Sequence, residues 1–477
     1  MSASAGGYLR KVLRSGTWLV SAGVILVFLT ACMDSEASFP EEVYVAPSGS
    51  DSAAGTRDAP LRTVQVGVNR LGPRGGVVKL AGGTYARQRV VLRDRDHVTV
   101  RAATGSEPVL DATGLTPPDG ESALVEISGG SDVAVEGLTL TGYRTRSTEK
   151  VPQGILVTGA ASDVRIAGNR VHHLGNDNPT RGSFDIGANG IAVYGRDKDR
   201  SIRGLKITDN EVDHLVLGAS ESVVVNGNVD GWEITRNYIH HNNNIGIDAI
   251  GYEETIGGSA RYTNVNRARH GIIADNTVTD IVSKGNPSYW EDGGWCNCAD
   301  GIYIDGGRSI EVHDNTVERA DIGIEVAAEN PKGETNDVSV NGNNVTASKY
   351  VGLAIGGYDP RRGEAFDVRV SDNTFRGNNT LNDGSPEILL QYKVHETTLT
   401  DNVVTATNAD YPLLVQRVRK AGTAAQNRNV VLNRNDYGAP STAAEATFIW
   451  LDQEQIGMQA WRNVSGQDAA STFTTRR

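Results

Sequence analysis

Three carboxylates, Asp248, Asp305 and Glu325, occupy equivalent places in short segments that share a Gly-apolar-x-apolar pattern. The segments open at Gly154-Ile155, Gly190-Ile191, Gly246-Ile247, Gly301-Ile302, Gly323-Ile324 and Gly352-Leu353, with Ser222-Val223 in the equivalent place. If the apolar residue after each Gly points into a core, the next residue points out, and so does the one two places later. Two outward columns result. One reads Leu156, Ala192, Val224, Asp248, Tyr303, Glu325, Ala354, Leu389, and the other Thr158, Tyr194, Asn226, Ile250, Asp305, Ala327, Gly356. Asp305 and Glu325 then lie on a diagonal of roughly 6 to 8 Å, and Asp248 and Glu325 roughly 9 to 10 Å apart. Carboxylates that close must share a proton, a cation or a substrate.

Such a cluster suits cleavage of a glycosidic bond. One carboxylic acid protonates the leaving oxygen while a carboxylate activates water or attacks, and a separation of about 6.5 to 9.5 Å belongs to inversion. β-Elimination is the second chemistry: Ca²⁺ held by carboxylates would neutralise a uronate and a base would take a proton. The two columns hold no Lys or Arg, which leaves Tyr303 or a His as that base. His172, His173, His214, His240 and His241 follow turns on three consecutive repeats, and His240 or His241 is expected at the edge of the cleft. A stacked His ladder serving only the turns is the alternative reading. His270 is a weaker candidate. Residues 251–300 form the longest insertion and hold Glu253, Glu254, Trp290 and Trp295, with Asp300 at the start of the strand that carries Asp305. Loops beside a rigid scaffold commonly bind ligands, and an indole stacks on the C–H face of a sugar or pins its own loop.

The elements that position these groups are read from a second repeat. An Asp, Gly or Arg followed by Asn and, two places on, an apolar residue recurs at Asn169, Asn210, Asn237, Asn276, Asn315, Asn343, Asn373, Asn402 and Asn435. Around each Asn apolar and polar residues alternate, as at Val164 and Ile166, Leu205 and Ile207, and Ile310 and Val312. With 55 Gly and only 7 Phe, the chain fits stacked short strands joined by tight turns, not a helical repeat. The fold class is therefore all-β, a parallel β-helix. The Asn column is expected to be scaffold, each Asn in a left-handed turn and bonded to the Asn above and below.

From residue 43 to 437 the chain resembles the right-handed parallel β-helix proteins of the pectate-lyase-like superfold. The resemblance rests on the repeat and on the opening VYVAPSGSDSAAGTRDAPLRTVQVGVNRLGPRGGVVKLAGGTY, in which Val64, Val68 and Leu71 have the spacing of a short helix capping the first coil. The tract ADGIYIDGG, residues 299–307, also resembles the Gly-Ile-Tyr-x-Asp strand of β-helix glycoside hydrolases. That likeness implies Asp305 as general acid or base, with Asp248 and Glu325 as partners and Asp300 in support. The superfold hosts lyases, hydrolases, epimerases and binding proteins, so it implies a carbohydrate partner more strongly than any one reaction. A glycoside hydrolase is the expectation; a polysaccharide lyase, or a non-catalytic glycan-binding surface protein, is the alternative.

The N-terminus reads as an export signal. Arg10, Lys11 and Arg14 precede an apolar run at 18–29 that ends in Leu29-Thr30-Ala31-Cys32, the pattern of a bacterial lipoprotein signal with Cys32 as the lipidated residue. Residues 33–42 would be a tether, 43–438 the β-helix, and 439–477 a C-terminal cap in which Phe448-Ile449-Trp450-Leu451 is the last strand, Trp461 closes the bottom coil and 471–477 is disordered. Cys296 and Cys298 form a local disulfide or remain thiols, and no further Cys or His stands at zinc-site spacing near them. With 58 acidic against 46 basic residues and no basic stripe, nucleic acid is not an expected partner. The protein is expected to be a monomer on the cell envelope.

Overall fold

The computed structural model describes residues 39–416 and 428–476, so Cys32 and the signal segment lie outside the described residues. Three long sheets of 14, 13 and 13 strands run through the described residues. Sheet 1 extends from Glu42–Val45 to Val430–Asn433, sheet 2 from Val90–Arg93 to Gln453–Ile456, and sheet 3 from Gly83–Ala86 to Thr472–Thr475. Successive coils pair in parallel. The Ile after each of these Gly in sheet 2, and the Val after Ser222, are fully buried, with Ile155, Ile191, Val223, Ile247, Ile302 and Ile324 all in one continuous core. A Cβ on Gly301 would sit 2.5 Å from Val317 Cγ1 and 2.8 Å from the Gly323 carbonyl, so the close packing of neighbouring coils requires Gly there.

The Asn ladder forms as expected. Asn237 Nδ2 donates to Asn276 Oδ1 at 3.0 Å, Asn276 Nδ2 to Asn315 Oδ1 at 3.0 Å, and Asn315 Nδ2 to Asn343 Oδ1 at 2.9 Å. The left-handed backbone belongs to the preceding residue and not to the Asn: φ is 57° at Asp209, 55° at Arg236, 57° at Asp275 and 55° at Asp314. The Asn side chain turns inward onto strand carbonyls such as Ile234 and Ile273, while the residue before it absorbs the bend.

Both ends of the described coil stack are capped. Helix Val64–Arg70 buries Val64 and Val68 on the first coil. At the other end Trp461, fully buried in helix Met458–Ser465, closes the last coil as expected. Three expectations are corrected here. Thr447–Trp450 is not the last strand but pairs antiparallel with Gln453–Ile456. The segment expected to be disordered contains strand Thr472–Thr475, which adds to sheet 3 by pairing Asp436 with Thr472 and Tyr437 with Phe473. Residues 251–300 are likewise not one loop. Strands Arg269–Ala274 and Thr277–Thr279 complete a coil inside it, which divides the insertion into 251–268 and 280–299. One follows the strand of Asp248 and the other precedes that of Asp305, so both rise beside sheet 2.

Candidate active site

The expected register of sheet 2 is present. Val224 pairs with Asp248, Asp248 with Tyr303, Tyr303 with Glu325 and Glu325 with Ala354. Asp305 pairs with Ala327, which places it one coil away from Glu325 and two residues further along the strand.

These residues do not face open solvent. Asp248 is 2% exposed, Asp300 3%, Glu325 5% and Asp305 7%, because side chains from distant parts of the chain wall them in. They line a cleft of about 730 Å³ together with Glu221, Glu253, Glu291 and Glu329, and its rim includes Phe184, Tyr289, Tyr350 and Tyr358. Eight carboxyl groups thus meet one lining guanidinium, Arg362. Phe184 packs edge-on against Tyr289 at 5.6 Å. Cys296 and Cys298 form a disulfide in the wall. The fully buried Asp321 pins that wall, its Oδ2 accepting from the Ser283 amide and hydroxyl, both at 2.6 Å, and from the Ala299 amide at 3.2 Å.

Burial is the main cause of the electrostatics. It pushes Glu325 up to about 8, with Glu329 adding repulsion and hydrogen bonds from Asp300 and Gln391 opposing. Glu221 is likewise pushed up to about 8 by burial and then by Glu253. Burial raises Asp248 well above the carboxylate range, reinforced by Glu221 and Asp305. Asp300 is raised by burial and by the charge and hydrogen bond of Glu325, so the two titrate as a pair. Asp305 is also raised by burial and by Glu329, but its Oδ1 accepts the Glu329 amide at 2.7 Å, a contact that favours the ionised form. The site therefore holds protonated acid at neutral pH, one half of the pairing that acid–base cleavage requires, and the Glu329 amide is the contact that draws Asp305, itself raised well above the carboxylate range, back towards its ionised form.

A stability prediction follows. Glu325 rises from an ordinary 4.5 to about 8, so between those pH values the folded chain holds a proton that the unfolded chain has released. Its contribution therefore destabilises the fold progressively as pH rises from about 4.5 to 8. Glu325→Gln is expected to unfold with wild type at pH 4.5 and at a higher temperature than wild type at pH 8, as read by thermal melts at the two pH values.

Residues 122–375 match the family model of the right-handed β-helix region. The chain belongs to the right-handed β-helix family. It is 31% identical over 470 residues to the uncharacterized protein YwoF of Bacillus subtilis (strain 168), covering 97% of this chain and 94% of that one. A shorter likeness, 34% over 90 residues and 17% of this chain, is to pectate lyase PEL9 of Emericella nidulans, of which it covers 22%. Among solved structures, the GH136 lacto-N-biosidase from Eubacterium ramulus superposes with a TM-score of 0.55 at 12% identity, covering 83% of this chain and 67% of that one. At that identity the shared property is the fold.

In this β-helix the other candidates divide. Asp300 and Glu253 line the cleft, whereas Glu254 is exposed and pairs with Arg261 at 2.6 Å. Tyr303 lies between Asp248 and Glu325, but burial and Asp305 push its hydroxyl well above the ordinary phenol, which opposes a role as base. His240 and His241 are not at the cleft edge. Strand Tyr238–His240 belongs to sheet 3, and the turn after His241 separates both residues from sheet 2. Trp290 and Trp295 do not line the cleft either. They pack against each other at 4.7 Å in a small antiparallel pair, with the Arg181 guanidinium 4.0 Å over Trp290, and so pin their own loop.

Sequence reasoning missed Glu221, Glu329, Gln391, Tyr358 and Arg362. Stepping two residues on from Ala327 in the second column and from Leu389 in the first reaches Glu329 and Gln391, a signal that was available. Glu221 precedes its strand, and Tyr358 and Arg362 sit in a turn, where no periodicity marks them. Asp248 Oδ1 and Asp300 Oδ1 are buried without a hydrogen-bond partner.

Proposed function

We propose that the protein is a carbohydrate-active enzyme, a glycoside hydrolase that cleaves a glycan carrying few or no carboxylates. The observation that carries this reading is the cleft itself: a buried acid, Glu325, held protonated near neutral pH one coil from Asp305, among eight carboxyl groups and one lining Arg. Glu325, which titrates as a pair with Asp300, protonates the glycosidic oxygen as the C–O bond breaks. Asp305 takes a proton from a water whose oxygen bonds to the anomeric carbon. The Asp305–Glu325 diagonal of roughly 6 to 8 Å leaves room for that water and favours inversion of the anomeric centre. A polyuronate substrate would be repelled by so many carboxyl groups unless a cation intervened.

Oligosaccharide cleavage in ¹⁸O-water tests this reading. Hydrolysis places one ¹⁸O at each new reducing end; elimination places none and overturns it. The local likeness to pectate lyase PEL9 and the unpartnered Asp248 and Asp300 oxygens favour a cation-assisted lyase as the second reading. With Glu325 as acid, kcat is expected to fall as pH rises through about 8. Glu325→Gln should lower it by about 100- to 10,000-fold and remove that basic limb from the pH–rate profile.

Export and attachment of the monomer to the cell envelope through Cys32 are part of the proposal, resting on Arg10, Lys11, Arg14 and the apolar run that ends before Cys32. Metabolic labelling with a radioactive fatty acid that fails to mark the protein would refute the anchor.

A further inference from the structure

Away from the cleft, sheet 3 gathers five of the nine histidines of the chain into one array. Strands Arg170–His172, Glu211–Asp213 and Tyr238–His240 stack in register, so that His172 pairs with Asp213 and Asp213 with His240. The residue after each strand is again a His: His173, His214 and His241, with left-handed φ of 52°, 52° and 54°. Three successive coils therefore present two columns, His172, Asp213, His240 beside His173, His214, His241. The outer rings are nearly parallel, His173 on His214 at 4.9 Å and His214 on His241 at 5.1 Å.

Turn backbone does not require this composition. The same left-handed position is taken by Asp280, Arg319 and Ala347 on the following coils. What the three coils add is a convergence of nitrogen and carboxylate donors. Nδ1 of His172 lies 2.8 Å from Nδ1 of His173, and the His240–His241 pair repeats that contact at 2.8 Å. In the middle coil His214 Nδ1 is 2.5 Å from Asp213 Oδ1. Asp213 is fully buried, and its Oδ2 accepts from Arg170 Nε at 3.0 Å. One donor atom each from His173, Asp213 and His214 lie within 4.8 Å of one another, and so do those of Glu211, Asp213 and His240.

We propose that His173, Asp213 and His214 bind one divalent transition-metal ion, such as Zn²⁺, at a site separate from the cleft. Two imidazoles and a carboxylate are a common donor set for Zn²⁺. An ion about 2.0 to 2.1 Å from each ligand needs donor atoms roughly 3.3 Å apart. The exposed side chains of His173 and His214 can rotate to close that gap, while Asp213 stays fixed by Arg170. The group at Glu211 and His240 shares Asp213, and Arg170 holds the Oδ2 of Asp213 that would otherwise bridge to a second ion, so the array takes a single ion. Binding joins adjacent coils of sheet 3 and stabilises the folded chain.

The test is calorimetric titration of Zn²⁺ into the chelator-treated full chain, free of any added His tag, with thermal melts in parallel. One saturating ion per chain and a raised melting temperature are expected. His214→Asn and His173→Asn should each weaken binding by at least about 10-fold. Asn tolerates the left-handed turn, so both variants retain the fold, as circular dichroism would verify. His97→Asn and His313→Asn should bind as wild type, since these rings pair with Asp132 and Asp314 outside the array. Asp305→Asn should also bind as wild type, which separates this site from the cleft. Absence of saturable binding, wild-type affinity in both array variants, or loss of binding in Asp305→Asn would overturn the proposal.

Discussion

Asp305→Asn is expected to lower kcat/KM on the cleaved glycan by about 100- to 10,000-fold, the range associated with loss of a general base. The substitution keeps the shape of the side chain, and the amide oxygen can still accept the Glu329 N–H that Asp305 Oδ1 accepts at 2.7 Å. It also removes one buried carboxyl from a group raised by burial and mutual repulsion. The folded state should therefore lose nothing, and the variant should melt at or above the wild-type temperature at neutral pH. A large loss of turnover without loss of stability marks a functional residue, because active sites hold groups that the fold alone would not favour. Unchanged turnover in Asp305→Asn would remove the residue from the reaction.

Asn315→Ala carries the largest expected cost to the fold. Asn315 Oδ1 accepts from both the backbone amide and the Nδ2 of Asn276, each at 3.0 Å, and its own Nδ2 donates to Ile273 O, His313 O and Asn343 Oδ1. All of this is buried, with Asn276, Asn315 and Asn343 each 1% exposed. Truncation leaves two donors of Asn276 without an acceptor, at about 1 to 3 kcal/mol each. A loss of roughly 3 to 5 kcal/mol is expected, read as a lower denaturant midpoint and as faster amide exchange in the coils around residue 315. Because each coil contacts chiefly its neighbours, exchange should quicken most there. Exchange rising uniformly along the chain would contradict the ladder as a local clamp.

How much of this was legible in the sequence depends on which interaction set each feature. The columns of sheet 2 were readable because side chains alternate with a period of two and the Asn turns register the coils. Asp248, Tyr303 and Glu325 fell into one column for that reason. Their burial was not readable. It is imposed by Phe184, Tyr289 and Tyr358, which reach the cleft from separate insertions whose course no repeat governs. His240 and His241 were placed near the cleft because they precede its strands in sequence, yet the turn between sheets 3 and 2 sends them to another face. The C-terminal strand Thr472–Thr475 has a single apolar residue, Phe473, and is ordered by pairing with Asp436–Ala439, not by a pattern of its own.

The central claim is that the buried carboxyl groups of sheet 2 hydrolyse a glycosidic bond. Its most direct test is a panel of neutral and acidic polysaccharides incubated with wild type and Asp305→Asn, following new reducing ends and the ultraviolet absorbance of unsaturated uronates together. Reducing ends released from a glycan poor in carboxylates, without absorbance and only by wild type, are the expected result. Reducing ends accompanied by absorbance, or release that persists in Asp305→Asn, would contradict it.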